Sequence, residues 1–357
     1  MPDREINSSQ QFHLYQEIVD ARSIEALKTI GERMLDAADG AIRSDVGTKK
    51  IVQLISRFND AITLRLITVL ADTEGVCLPE GGTFLVLGSE GRGEQTLRTD
   101  QDNAIVYSDD LSPGELRAVE RFATRLVDAL EEIGVPRCPG NIMASNPSWC
   151  HSSSEWMTLL TRWITVPTPE HILNFGMFQD LRPLYGDVDP VLRLRDHITS
   201  EVKHYGIFFP NMACHVVRFP PPFTIFGRLR VEQDGTHKGL VSLKKAGIFA
   251  ITTGASLLAL EFGIIGGDTW KKLELLGEVG FISSGDLETI VTAFTFLVQL
   301  RLQLQLRELS SGSKPTHYID PRLLNEKEQE QFRQALKGVN VFLRIFRNHY
   351  QLDYISM

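Results

Sequence analysis

The chain has 357 residues, 43% of them hydrophobic and 23% charged, and a formal net charge of -8. That length accommodates two or three domains with a sizeable core. The acidic balance argues against a nucleic-acid-coating protein, because no global basic field recruits phosphates, although a local basic pocket for a nucleotide is still allowed.

The opening Met1-Pro2-Asp3-Arg4-Glu5 does not read as a signal peptide. No window reaches the roughly 18 uninterrupted apolar residues of a membrane span. Cys77, Cys138, Cys150 and Cys214 form no C-x-x-C pair, and no two histidines have metal-ligand spacing. The expectation is a reduced, cytoplasmic protein with no membrane partner.

The first eighty residues read as helices. Leu27, Ile30 and Met34 share a face, and Ile51, Leu54, Ile55, Phe58 and Ile62 follow three-and-four spacing. Pro79, Gly81 and Gly82 break the pattern. Thr83 to Leu87 then reads as a buried strand ending in Gly88, and Ala104 to Tyr107 as a second. Ser112-Pro113 with Glu115 marks a helix start, Leu116, Val119, Phe122, Leu126, Leu130 and Ile133 form its stripe, and Gly134 ends it. Pro136 to Ser154 reads as strand plus functional loop, with a strand near Asn141–Ala144. After Trp156 the pattern is mostly helical. Phe219 to Pro222 interrupts it, and from Leu240 onward only helices are expected. Leu287, Ile290, Val291, Phe294, Leu297 and Val298 form one stripe. Phe332, Leu336, Val339, Leu343, Phe346 and Tyr350 form another, as in a bundle. The fold class expected is α+β: a small mixed sheet with flanking helices, preceded by N-terminal helices and followed by a C-terminal helical bundle. The corresponding domains are 1–78, 79–206 and 207–357.

The chemistry concentrates in Gly88-Ser89-Glu90-Gly91-Arg92-Gly93-Glu94-Gln95-Thr96-Leu97-Arg98-Thr99-Asp100-Gln101-Asp102-Asn103. A strand ending in a small Gly-Ser pair, followed by a helix start, offers backbone N–H groups and a hydroxyl to phosphate. Gly91 and Gly93 permit close approach of a ligand to the backbone, and Arg92 supplies a forked cation for phosphate oxygens. In the second half, Asp100 and Asp102 are alternate residues of an extended segment and point to one side. Two such carboxylates suit Mg2+ shared with substrate phosphates, as one or two ions. Cradle and carboxylate pair together fit a metal-bound nucleoside triphosphate.

This stretch resembles the nucleotidyltransferase superfamily signature, a glycine-serine pair followed by aspartate-x-aspartate. More closely, the chain resembles bacterial nucleotidyltransferase-like proteins of the domain-of-unknown-function type. These are often fused to CBS and cyclic-nucleotide-binding domains and are related to the PII-protein uridylyltransferase. Cys138-Pro139-Gly140-Asn141-Ile142-Met143-Ala144-Ser145-Asn146-Pro147-Ser148-Trp149 and Phe178-Gln179-Asp180-Leu181-Arg182-Pro183-Leu184-Tyr185-Gly186-Asp187 resemble further blocks of that family. The resemblance implies that Gly88 and Ser89 contact the triphosphate, that Asp100 and Asp102 ligate Mg2+, and that a C-terminal bundle closes over the nucleotide. Two departures stand out. Superfamily members often carry a third carboxylate on a later strand, for which Asp180 is the candidate here; the alternative for Asp180 is a salt bridge with Arg182. In Val241-Ser242-Leu243-Lys244 a serine stands where the family would show an acidic residue. Lys244 is a candidate phosphate contact or a solvated helix lysine.

Other features carry blander readings. Cys150-His151 is adjacent in sequence, which does not make a dyad. Trp149 and Trp156 either wall a base pocket or fill the core. Arg228, Arg230, Lys238, Lys244 and Lys245 form a basic cluster that reads best as a solvated face. The functional expectation is Mg2+-dependent transfer of a nucleoside monophosphate from a nucleoside triphosphate to an acceptor hydroxyl, which the resemblance places on a protein. The alternatives are a nucleotide-binding sensor without turnover and an interaction scaffold. Base, acceptor and oligomeric state are not readable, and a homodimer is compatible with the sequence.

Overall fold

The computed structural model describes residues 8–43, 46–97, 99–219, 223, 229–264 and 266–354. The opening pentapeptide, Arg98, the proline run Pro220–Pro222 and Arg228 lie outside the described residues. The chain forms two compact units. One is the chain up to Val166 together with Met177–Glu201, and the other is Pro167–Gly176 together with the chain from Val202 on.

The first unit begins with three helices, α1 (Ser8–Asp20), α2 (Ile24–Arg43) and α3 (Thr48–Glu74). Along α3, Ile51, Ile55, Phe58, Ile62 and Leu66 are buried at three- and four-residue steps, so one stripe faces the core. Strand β1 (Gly82–Val86) follows, buried at every position. A single helical turn, α4 (Gly88–Gly91), and a connecting segment lead to β2 (Asn103–Tyr107). Helix α5 (Pro113–Glu132) starts on a capping box in which the Ser112 hydroxyl accepts from the Glu115 N–H and the Glu115 carboxylate accepts from the Ser112 N–H. Strand β3 (Cys150–Ser152), α6 (Ser153–Thr165), β4 (Arg182–Gly186) and most of α8 (Asp189–His204) follow, while α7 (Pro169–Phe178), between α6 and β4 in sequence, belongs for most of its length to the second unit.

The sheet order is β3-β2-β1-β4. β1 pairs antiparallel with β2, Val86 opposite Asn103, and antiparallel with β4; β2 pairs parallel with β3. Helices and sheet share one core: Leu14, Leu27 and Phe58 belong to the same buried cluster as Phe84, Ile105 and Phe122. Trp149 and Trp156 are both buried, as the core-filling alternative expects. Their rings contact Trp163 and Phe178, and the Trp156 indole N–H donates to the Ile105 carbonyl at 2.8 Å. Two expectations need correction here. The strand falls at Cys150–Ser152, whereas Asn141–Ala144 is a loop stitched to β2 by two bonds: the Asn103 N–H donates to the Ile142 carbonyl and the Ala144 N–H to Asn103 Oδ1. The stretch after Trp156 also contains β4. Its Pro183 is tolerated because β4 is an edge strand.

The second unit holds α9 (Phe208–Val216), α10 (Phe249–Glu261), α11 (Thr269–Glu278), α12 (Ser284–Ser310) and α13 (Glu326–His349). It is the expected bundle. Ile290, Phe294, Leu297 and Val298 of α12 and Phe332, Leu336, Val339, Leu343 and Phe346 of α13 are buried. α12 is long and apolar enough to cross a membrane by length and composition. The expectation of helices alone after Leu240 is corrected by a two-stranded ladder, β5 (Val241–Ser242) with β6 (Tyr318–Ile319).

Candidate active site

The β1–β2 connection carries the predicted centre. Beyond the last ladder pair, the Leu87 N–H donates to the Asp102 carbonyl at 2.8 Å, so residues 87 and 102 continue the hairpin. Gly88 turns the chain with φ +51. A Cβ at this position would lie 3.2 Å from Asp102 Oδ2 and 3.1 Å from the Met177 methyl. Only glycine lets the turn come this close to the carboxylate. α4 is one turn long, so Ser89 and Glu90 sit among its first amides, ahead of any intrahelical bond. Along the connecting segment Asp100 is exposed and Asp102 half-buried, while Gln101 and Asn103 are buried. That alternation is the one expected for two carboxylates on one side.

Arg92 lies deep in the structure. Its Nε donates to Glu94 at 3.0 Å and its Nη1 to Asp180 at 2.9 Å, and the three side chains are 12%, 5% and 5% exposed. Asp180 therefore pairs with Arg92 and not with Arg182. Arg182 instead makes a two-pronged bridge to Asp60 at 3.0 and 2.9 Å and donates to the Glu90 carbonyl. Gly91 belongs to the same joint, since a Cβ there would meet the Asp180 carbonyl oxygen at 2.1 Å. The Arg92 network thus clamps the turn against the chain leading into β4.

Two neighbours of Asp102 escape a reading of spacing. Glu90 is pushed up to about 8, first by burial and then by the negative charges of Asp60 and Asp102, with Arg182 opposing. The Cys138 thiol, pushed up to about 11 by burial and then by Asp102, donates its hydrogen bond to the Asp102 carboxylate. Cys138 stands in one of the blocks quoted above, which was the only signal for it. Glu90 stands inside the signature, but nothing in its spacing distinguishes it from a solvated carboxylate.

Two family models match the chain: Putative nucleotidyltransferase DUF294 over residues 32–170, and Putative nucleotidyltransferase substrate binding domain over residues 206–350. The chain belongs to this nucleotidyltransferase family. No curated protein matches it significantly. Gly88, Ser89, Arg92, Asp100 and Asp102 fall within the range matched by the nucleotidyltransferase model, and Lys244 within that matched by the substrate-binding model. Asp180 falls between the two.

In the substrate-binding domain Lys244 is exposed at the start of a π-helical turn, Lys244–Ile248. It is one of several cations around His317, whose pKa is lowered to about 4 by burial first and then by Arg301, Lys244, His237 and Lys245. Lys245 is bridged to Glu232 at 2.7 Å. Ser242 is buried, and its hydroxyl accepts from the Lys245 N–H.

The Glu90 environment predicts a pH-dependent stability. Its folded pKa is raised above the unfolded value, so its contribution is fully present below about pH 4.5 and is lost as pH rises through about 8. Glu90→Gln removes this loss. Urea denaturation in chelator should find wild type and variant alike near about pH 5. Near about pH 8.5 the variant should be more stable by on the order of 2 kcal/mol. Equal stability at both values would refute the assignment.

Proposed function

We propose that the chain moves a nucleoside monophosphate from a nucleoside triphosphate to an acceptor hydroxyl, releasing pyrophosphate. The observation that carries this reading is the meeting of Gly88 with Asp102, where a Cβ would lie 3.2 Å from the carboxylate oxygen. A phosphate-binding turn and a metal-binding carboxylate have to be this close if one ion is to bridge them.

Asp100 and Asp102 would hold Mg2+. The donor set fits: hard carboxylate oxygens on one side of an extended segment, with room left for phosphate oxygens and water. Repulsion between Asp102 and Glu90 is a further sign that this corner carries negative charge that a cation would offset. When bound, the ion neutralises charge on the phosphoryl oxygens and favours ionisation of the acceptor hydroxyl. The chain's own part is positioning. The Gly88 and Ser89 amides and the Ser89 hydroxyl hold the triphosphate, so that the acceptor oxygen attacks the α-phosphorus in line with the leaving pyrophosphate. The hydroxyl proton passes to water. Arg92 and Asp180 act behind the turn and keep it in register with Asp102. Lys244, among the other cations of the substrate-binding domain, carries charge suited to a phosphate. The acceptor is proposed to be a protein side chain, from likeness to the uridylyltransferase relatives. Four unpaired cysteines suit a reducing compartment such as the cytoplasm.

A sensor without turnover is the second reading. It is favoured by β3, Cys150-His151-Ser152, which supplies no third carboxylate. It is also favoured by the lack, among the described residues, of any group of three or more His, Cys, Asp or Glu able to hold a metal. Calorimetry with ATP, UTP, GTP and CTP, with and without Mg2+, paired with a pyrophosphate-release assay on candidate protein acceptors, separates the two. The transferase reading expects Mg2+-dependent binding with release. Binding without release across the acceptors favours the sensor, and no binding by any triphosphate overturns both.

A further inference from the structure

A partly open pocket lies within the first unit. Its walls come from α2, α3, the end of α5, Phe84 of β1, Glu90 of α4 and the segment joining α4 to β2. That segment turns two faces outward. Asp100 and Asp102 occupy one side, while the intervening Gln101 and the following Asn103 line the pocket.

The lining is divided. One wall is apolar, with Leu27, Met34, Ile62, Phe84 and Leu130. The other carries Thr63, Gln95, Gln101 and Asn103, all buried. Four buried polar side chains around one pocket are costly unless each finds a partner. Two do not. Gln95 Oε1 and Gln101 Oε1 are buried and accept no hydrogen bond among the described residues. The Gln101 amide cannot simply be turned over, because its Nε2 donates to the Val127 carbonyl at 3.1 Å and the Val135 carbonyl at 3.2 Å. Reversing it would set oxygen against two oxygens. Gln95 Nε2 donates to the Thr99 hydroxyl at 3.2 Å, a partner that serves either orientation of the amide, so only Gln101 is fixed in this sense. The Gln101 acceptor is therefore held where it is, on a residue that lines the pocket.

We propose that this pocket is a second small-molecule site, for a compact ligand with an apolar body and an N–H or O–H donor. The donor bonds to Gln101 Oε1, and the body rests on Met34, Ile62 and Phe84. Ordered water would satisfy the two oxygens but gain nothing from the apolar wall. The site adjoins the proposed triphosphate centre, sharing the α4 turn through Glu90, and binds without nucleotide.

Indole and benzofuran test this, since they share a shape and differ in one N–H donor. The protein is labelled with 13C-methyl methionine, and the Met34 resonance is assigned by Met34→Leu. Indole should shift the Met34 methyl and bind roughly tenfold more tightly than benzofuran, the factor expected when a buried acceptor is left unpaired. Gly31→Leu should remove both titrations. Gly31 lines the pocket, and a Cβ there meets nothing within 4 Å. Leucine is also the better helix former, so the variant should melt no lower than wild type. Equal affinity for the two probes, binding unaffected by Gly31→Leu, or an unmoved Met34 resonance at the solubility limit of indole would each overturn the proposal. All readouts omit nucleotide, so failure here is separable from failure of the transferase reading.

Discussion

Asp102→Asn should abolish nucleotidyl transfer while leaving the fold intact. Asparagine keeps the shape and one oxygen but removes the charge that would hold Mg2+. The backbone of residue 102 is anchored independently, through the bond from the Leu87 N–H to its carbonyl, so the hairpin survives. Loss of a metal-binding carboxylate should cost about 4 kcal/mol or more in transition-state stabilisation, roughly a 10³-fold fall in turnover. Removing the negative charge also relieves repulsion on ionised Glu90, pushed up in part by Asp102, and the asparagine oxygen still accepts from the Cys138 thiol. The variant should therefore melt no lower than wild type. Pyrophosphate release and a thermal melt on the same preparation decide it. Wild-type turnover would sink the mechanism, and a large drop in melting temperature would mean that Asp102 is structural first. Asp100→Asn should act in the same direction with a smaller effect on its surroundings, since Asp100 is exposed.

The legible part of this molecule is the part written in contiguous residues. Helices α3, α5, α12 and α13 announce themselves by apolar spacing, and α5 also by its Ser112–Glu115 cap. β1 and β2 are short apolar runs that flank the glycine-rich signature, so their pairing and the approach of Gly88 to Asp102 follow from one another. β4 was missed because an edge strand with Pro183 and only partial burial shows neither a run nor an alternation. β3, β5 and β6 have two or three residues each, too few to show any period. The electrostatic setting of the site was hidden for a different reason. Asp60 comes from α3, Cys138 from a loop after α5 and Asp180 from the turn before β4, and only tertiary packing brings them to the signature. Spacing can show that two aspartates share a side; it cannot show which buried charges stand behind them. Asp180 illustrates the point. A neighbour in sequence, Arg182, was the natural partner for it, yet the partner is Arg92, 88 residues away.

That distant pair supports the second large prediction. Arg92→Ala should destabilise the first unit by about 3–5 kcal/mol, the usual cost of removing one member of a buried ion network. Glu94 and Asp180 are each 5% exposed as side chains and would both lose their guanidinium. The exposed alternative, a surface salt bridge worth at most about 1 kcal/mol, predicts almost no change. Arg92→Lys should recover only part of the loss, because a single ammonium cannot address two carboxylates in the geometry of a fork. Adding Glu94→Gln and Asp180→Asn to Arg92→Met should restore most of it, since the two carboxylate charges that faced the guanidinium are then gone. The effect should also reach the turn. The Asp180 carbonyl rests where a Cβ of Gly91 would be, so loosening Asp180 frees the glycine-serine segment to drift from Asp102. Urea unfolding measures the first effect and Mg2+-dependent triphosphate affinity the second. Loss of affinity with unchanged stability would reassign Arg92 as a direct phosphate contact, and loss of both is the outcome expected of a brace.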